Sequence, residues 1–285
     1  MAFPSPTQAF HTSAYPAIDP TLAALSTKGK NIVITGGGAG IGSEIAKAFA
    51  QSGATSIALL GRTEKTLLAT KQAIEDEFKA TAVRTYVADI TSAKDLDHGI
   101  SAHAKEFGKF HVLVANAGFL PLGQSIVDST PDEWYEGFEV NVKGNYNLVR
   151  AFLPHANADA AVLSINTVLS QMAYIPGMSS YSASKIATAK LFEYLHYEHP
   201  ELFVLSIHPG SIKTAMNAKA VGTGKPYPYD NIDLPASFLV WAASDKAKFL
   251  NGKFVWAQWD VEELNEMAET IKGTEKFTFG LLGWP

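Results

Sequence analysis

Residues Asn31 to Gly42 read N-I-V-I-T-G-G-G-A-G-I-G, and no other stretch constrains the fold as strongly. A short apolar, β-prone run enters a glycine cluster, which then opens a helical pattern with Ile41, Ile45 and Phe49 on one face. A chain that passes from strand through glycine turn to helix presents the unpaired N–H groups of the helix start, an arrangement suited to a dinucleotide pyrophosphate. Gly36, Gly40, Ile41 and Gly42 are the positions that would meet it. Glycine serves because the turn visits positive φ and because a Cβ would hold the phosphates off. An ordinary tight strand–helix loop also uses glycine, so the motif needs support from the rest of the chain.

That support comes from the alternation that follows. Strands are expected at 55–60, 83–88, 110–115, 160–166, 202–208 and 253–257, with helices at 64–79, 92–107, 131–152 and 179–198 between them. Thr130 is placed to cap the third of these helices, with Pro131 at its first position and Glu133 near its start. The pattern predicts an α/β fold: a doubly wound, mainly parallel seven-stranded sheet with helices on both faces. The expected organisation is an extended arm over 1–28, a dinucleotide-binding and catalytic domain over 29–260, and a C-terminal helix and tail over 261–285. The arm could equally be a disordered tail, although Phe10, Tyr15 and Ile18 offer apolar anchors.

Composition narrows the partners. With 285 residues, 47% of them hydrophobic, the chain can bury a large core. A net charge of −5 and the lack of any basic run argue against nucleic acid or a membrane surface. No cysteine is present, which rules out disulfides, thiolate nucleophiles and cysteine-based metal sites, and no metal is expected. Prolines 4, 6, 16 and 20 interrupt the N-terminus, which does not read as a signal peptide, and the last residues are no targeting signal. A cytoplasmic protein is the resulting expectation.

Ligands of such sheets bind beyond the carboxyl ends of the strands, so the residues just after each strand carry the most information. After the second strand stands Arg62. A carboxylate there would read the ribose of NAD, whereas a basic residue pairs with the 2′-phosphate of NADP, so NADP(H) is expected, with NAD(H) still possible. After the third come Asp89 and Ile90, suited to the adenine amino group and ring, although Asp89 is also a good helix cap. After the fourth come Asn116, Ala117 and Gly118, small enough for close backbone approach.

Tyr181 and Lys185 lie four residues apart in Y-S-A-S-K and so share one helix face. An ammonium beside a phenol favours the phenolate and should lower its pKa toward working pH. A phenol tuned in this way can pass a proton to or from a carbonyl or alcohol oxygen. The spacing alone is weak; its place, at the start of the helix after the fifth strand, gives it weight.

With these residues in view, the chain resembles the short-chain dehydrogenases/reductases over roughly residues 30–260, and fungal members in particular at its two ends. Thr35 to Gly42 fits the family's T-G-x-x-x-G-x-G, Asn116-Ala117-Gly118 its N-A-G element, and Tyr181 with Lys185 its Y-x-x-x-K. The resemblance implies that Asn141 helps hold a proton-relay water and that Pro209, Gly210, Ile212 and Thr214 cover the nicotinamide. It also implies a homodimer or homotetramer. One position departs from the pattern. Where the family places a serine about 13 residues before the tyrosine, this chain has Val168, and the nearest hydroxyls are Thr167 and Ser170. Thr167 is the expected replacement, with a β-methyl that stiffens χ1.

The activity implied is hydride transfer between NADP(H) and a carbonyl/alcohol pair, with Tyr181 as acid or base, Lys185 tuning it and Thr167 orienting the substrate oxygen. A cofactor-binding regulatory protein and a non-redox cyclase or eliminase on the same fold are the alternatives. Residues 215–235, with Tyr227, Tyr229 and Ile232, are expected to form a substrate lid. With Phe119, Leu120, Met172 and Tyr174 they suggest a small hydrophobic substrate.

Overall fold

The computed structural model describes residues 5–171, 174–220 and 228–280. Its centre is a seven-stranded sheet, all parallel, in the order β3-β2-β1-β4-β5-β6-β7. The strands are β1 Asn31–Thr35, β2 Ser56–Gly61, β3 Ala82–Val87, β4 Phe110–Ala115, β5 Ala156–Ile165, β6 Phe203–His208 and β7 Lys253–Trp256. The order reverses between β1 and β4, where the crevice for a ligand opens.

Successive residues of a strand face opposite sides of a sheet, and here each side has its own core. Ile32, Ile34, Ile57 and Leu59 point to one face, where they pack under α1 (Gly40–Gln51) and α8 (Asp233–Ala242) with Phe49, Phe238 and Trp241. Val33, Ala58, Leu60 and Leu113 point to the other, against α3 (Ala93–Phe107), α5 (Gly144–Phe152) and α6 (Ser179–Glu198) with Phe152 and Phe192. Covering both faces is what makes β1 buried at all five residues. The helix α2 spans Glu64–Glu77, and short helices α7 (Ala215–Ala220), α9 (Val261–Glu266) and α10 (Ala268–Ile271) complete the described set.

Two expectations are corrected. The helix expected at 131–152 is three pieces: α4 (Pro131–Phe138), a π-helical turn (Glu139–Lys143) and α5. Its start is as expected, with a full capping box between Thr130 and Glu133. The expected lid also runs too far, because Asp233 opens α8 and Leu234 is a fully buried core residue. Met172, Tyr227 and residues 221–226 of that reading lie outside the described residues.

The described part of the arm is docked on the domain. Ile18 is fully buried, Phe10 bridges Trp259, and the Tyr15 hydroxyl accepts from the Val261 N–H at 2.9 Å. At the far edge of the sheet, the Phe254 N–H donates to the Phe277 carbonyl at 2.8 Å and the Lys253 ammonium donates to the Thr274 carbonyl. Phe277 holds φ +60, a costly conformation for a bulky residue, offset by its ring packing 5.1 Å from Trp259. Among the described residues no helix is long and apolar enough to cross a membrane.

Candidate active site

The carboxyl ends of β1, β4, β5 and β6 converge on one crevice. At the end of β1, the Thr35 hydroxyl accepts from the N–H groups of Asn116 (3.2 Å) and Ala117 (3.1 Å). Asn116 in return donates its amide to the carbonyl of Thr35 at 2.9 Å. Its side chain thus ties the glycine turn to the end of β4. Gly36 and Gly40 hold φ +67 and +56, and α1 starts at Gly40 with no side-chain cap. Its first N–H groups are therefore available to an anion, as the glycine motif requires. Ile41 packs its side chain on the core behind them.

Arg62 is exposed just past β2. Asp89 makes a local turn, its Oδ1 accepting from both the N–H and the hydroxyl of Thr91 at 2.8 Å. Partial burial opposes charge on its carboxyl, but these Thr91 bonds and the nearby Arg62 guanidinium outweigh it and hold the pKa below the usual range. Ile90 is buried, its side chain seated where a Cβ on Gly144 would otherwise stand.

Tyr181 and Lys185 project from the first two turns of α6 toward the end of β5. The Lys185 ammonium, 4% exposed, donates to the Ile165 carbonyl at 2.9 Å and lies 6.0 Å from the centre of the Tyr181 ring. A Cβ on Gly118 would only touch Nζ, at 3.5 Å, but would press on Asn141 Oδ1 at 3.2 Å. The Thr167 hydroxyl accepts from the Leu169 N–H at 3.3 Å and stands near enough to the Tyr181 phenol to favour its ionised form. Ser170 instead turns its hydroxyl back onto the Thr167 carbonyl at 2.7 Å. Thr167, then, is the hydroxyl brought to the tyrosine. Thr167→Ala is expected to lower kcat/KM about tenfold or more, and Ser170→Ala to stay within about threefold. Steady-state kinetics on the two variants checks this, and the reverse pattern transfers the role to Ser170.

The expected lowering of the Tyr181 pKa by Lys185 is not found. Burial pushes the phenol up to about 12, opposed only by the Thr167 hydrogen bond. Burial likewise pulls Lys185 down to about 8. Both pKa values move toward the neutral form because the same packed pocket solvates charge poorly.

Asn141 is also placed differently from the water-relay role. Its Oδ1 accepts from the Phe119 N–H at 2.8 Å, and its Nδ2 donates to the Phe119 carbonyl (2.9 Å) and to Ser184 Oγ (3.0 Å). Its own carbonyl, freed by the π-turn, accepts from Asn145 Nδ2 (2.7 Å) and Thr188 Oγ1 (2.8 Å). With both carbonyl lone pairs and the whole side chain engaged, Asn141 clamps the segment after β4 to α6. Ser180, Ser184 and Thr188 form the α6 side of this seam, and each of the first two immediately precedes a candidate catalytic residue.

At the end of β6, His208 Nδ1 accepts from the Val168 N–H at 3.2 Å and its ring stands edge-on to Trp256. Burial lowers its pKa to about 3, so it stays neutral and able to accept. His208 thereby steadies the loop that carries Thr167. Pro209 is buried, Gly210 holds φ +96, Ile212 is buried, and Thr214 faces the glycine turn, 3.5 Å from where a Gly40 Cβ would lie. Of the apolar residues expected to meet substrate, Leu120 is buried and Tyr174 stands in solvent at 78% exposure. His208, Ser184, Thr188 and Asn145 were missed in the sequence. The i, i+4 spacing of Ser180, Ser184 and Thr188, in register with Tyr181 and Lys185, was the available signal.

The chain is similar to known proteins in sequence and in fold. The model of the short chain dehydrogenase family matches residues 30–223. A short chain dehydrogenase/reductase of Claviceps purpurea is 34% identical, the match covering 99% of this chain and 96% of that one. Another, from Aspergillus aculeatus, is 32% identical over 99% and 98%. A short chain dehydrogenase from Escherichia coli, solved in complex with NADPH, superposes with a TM-score of 0.75 at 26% identity, covering 83% of this chain and all of its own. By sequence match, sheet order and the placing of its glycine turn, the chain belongs to the short-chain dehydrogenase/reductase family, whose members are oxidoreductases.

Proposed function

We propose that the protein is an NADP(H)-dependent oxidoreductase that interconverts a carbonyl and a secondary alcohol on a small hydrophobic substrate. The observation that carries this reading is Tyr181 with buried Lys185 one turn along α6, Lys185 reaching the end of β5 where Thr167 stands beside the phenol. Gly36, Gly40, Ile41 and Gly42 would hold the pyrophosphate and Arg62 the 2′-phosphate. Asp89 and Ile90 would take the adenine; Asn116, Ala117, Gly118, Pro209, Gly210, Ile212 and Thr214 would lie along the nicotinamide end, with Lys185 toward its ribose. When bound, the nicotinamide supplies or accepts the hydride.

The protein's own part is the proton. With its pKa held up at about 12, the Tyr181 phenol is protonated at neutral pH and suited to giving a proton to a carbonyl oxygen. Thr167 donates to or accepts from that oxygen and orients it. Lys185, at about 8, is mostly an ammonium at neutral pH and stabilises the phenolate left behind. The departure at Val168 is what motivates the regulatory alternative, and the Thr167 hydroxyl near the phenol weakens that motive. A cytoplasmic homodimer or homotetramer completes the reading, with Tyr146, Tyr194 and Tyr197 exposed on α5 and α6.

Titration with NADPH and NADH, followed by fluorescence, tests it. NADPH is expected to bind at least about tenfold more tightly, and Arg62→Ala to erase that difference while leaving NADH within about twofold, since a charge-assisted phosphate contact contributes about 1.5–3 kcal/mol. Equal binding of both cofactors by the unmodified protein would remove Arg62 from the role.

A further inference from the structure

We infer that Asp230, braced by Gln258 and the N-terminal arm, is a positioning residue that sets the Pro209–Thr214 segment against the glycine turn; its consequence for cofactor binding rests on the function proposed above. Asp230 Oδ2 accepts from the Ser211 N–H at 2.7 Å and from Gln258 Nε2 at 3.1 Å, and the Asp230 N–H donates to the Ser211 carbonyl at 2.8 Å. Ser211 is thus held at both its polar backbone atoms by one residue 19 positions away. Gly210 makes the approach possible, since a Cβ there would lie 2.6 Å from Asp230 Oδ2. The neighbours of Ser211 in this segment, Gly210 and Ile212, are candidate cofactor contacts, and Thr214 faces Gly40 across the crevice.

Asp230 does not stand alone. The Asn231 N–H donates to the Thr12 carbonyl at 2.7 Å, the Gln258 carbonyl accepts from the His11 N–H at 2.8 Å, and the Ala14 N–H donates to Asp233 at 3.1 Å. The arm is itself pinned where His11 meets Asp260 at 2.8 Å and stacks on Tyr15 at 3.5 Å. Residues 11–14 therefore grip the next residue after Asp230 and the residue that bonds its carboxylate. Gln258 is 4% exposed and its Oε1 has no partner among the described residues. An orphaned buried acceptor costs stability, and here its amide is committed to holding the Asp230 carboxylate instead of satisfying both ends.

The test compares Asp230→Ala, Asp230→Asn and Gln258→Leu in the full chain. Amide hydrogen exchange is read on the protein alone, and NADPH affinity and steady-state constants separately. Asp230→Ala is expected to speed exchange across 210–214 about tenfold or more, leaving the strands β1 and β4 unchanged. It should raise Kd and KM for NADPH about fivefold or more with kcat within about threefold. Asp230→Asn keeps a carbonyl acceptor for Ser211 and should restore both readouts to within about twofold. Gln258→Leu, which removes only the brace, should show the same changes at about a third of the size. Unchanged exchange in Asp230→Ala, or in Gln258→Leu should the first variant not fold, overturns the inference. If the unmodified protein binds neither cofactor, the proposed function fails, whereas the exchange readout still decides the role of Asp230.

Discussion

Tyr181→Phe is expected to lower kcat about 100-fold or more, because a positioned proton donor contributes roughly 10²–10⁴ to such a step. The loss should fall on kcat and kcat/KM alike, with NADPH affinity within about threefold, since the ring remains and only the hydroxyl is removed. Thr167 should keep its place in this variant, because its hydroxyl is also held by the Leu169 N–H at 3.3 Å. Single-turnover oxidation of NADPH by a ketone, followed by absorbance, measures the chemical step without product release. Turnover retained in this variant would refute the assignment of Tyr181.

Gly42→Ala is expected to be the most damaging single methyl in the cofactor crevice. A Cβ at this position would lie 2.2 Å from the Gly36 carbonyl oxygen and 2.6 Å from Asn116 Nδ2. The first is backbone of the turn itself and cannot swing aside, so α1 must lift from the turn. Overpacking of this kind costs about 1–3 kcal/mol, or a few degrees of Tm in a chain of this size. The larger effect is on binding: the N–H groups that should meet the pyrophosphate lose their aim, and NADPH affinity should fall by about tenfold or more. Thermal unfolding and fluorescence titration report the two effects separately. A variant with normal affinity would show that the turn does not depend on this contact.

Much of this fold could be read from the chain because two-faced burial leaves a simple trace. The continuous apolar run of β1 and the glycines after it are both forced by packing, the first by helices on two sides and the second by the 2.2 Å approach at Gly42. The helix α6 was legible to the residue, and the capping box at Thr130 announced α4. What escaped has a physical reason in each case. The helix α8 is buried all round, with Leu234, Phe238, Leu239, Val240 and Trp241 in the core, so it shows no polar face from which a period could be read. The π-turn at Glu139–Lys143 depends on side chains of α5 and α6, Asn145 and Thr188, accepting the task of satisfying the Asn141 carbonyl. At the site, Tyr181, Lys185 and Thr167 were identified and are brought together, whereas the electrostatics ran opposite to the local reading. Spacing shows that two groups are neighbours, but not how poorly the pocket around them solvates charge. The tie from Asp230 to Ser211 spans 19 positions, and the arm reaches Asn231 and Gln258 from more than two hundred positions away, so neither leaves a local pattern.

The strip of chain that lies on β7 has a wider meaning for how copies of this protein can meet. An uncovered terminal strand offers a ladder of donors and acceptors to any other extended chain. Here the Phe254 N–H is already spent on Phe277 and the Lys253 ammonium on Thr274. The sheet is closed at this border by its own polypeptide, at the cost of one phenylalanine in a left-handed conformation. Another extended chain meets no free Phe254 N–H at this border, so pairing onto β7 is disfavoured, and loss of the 274–277 strip would reopen it.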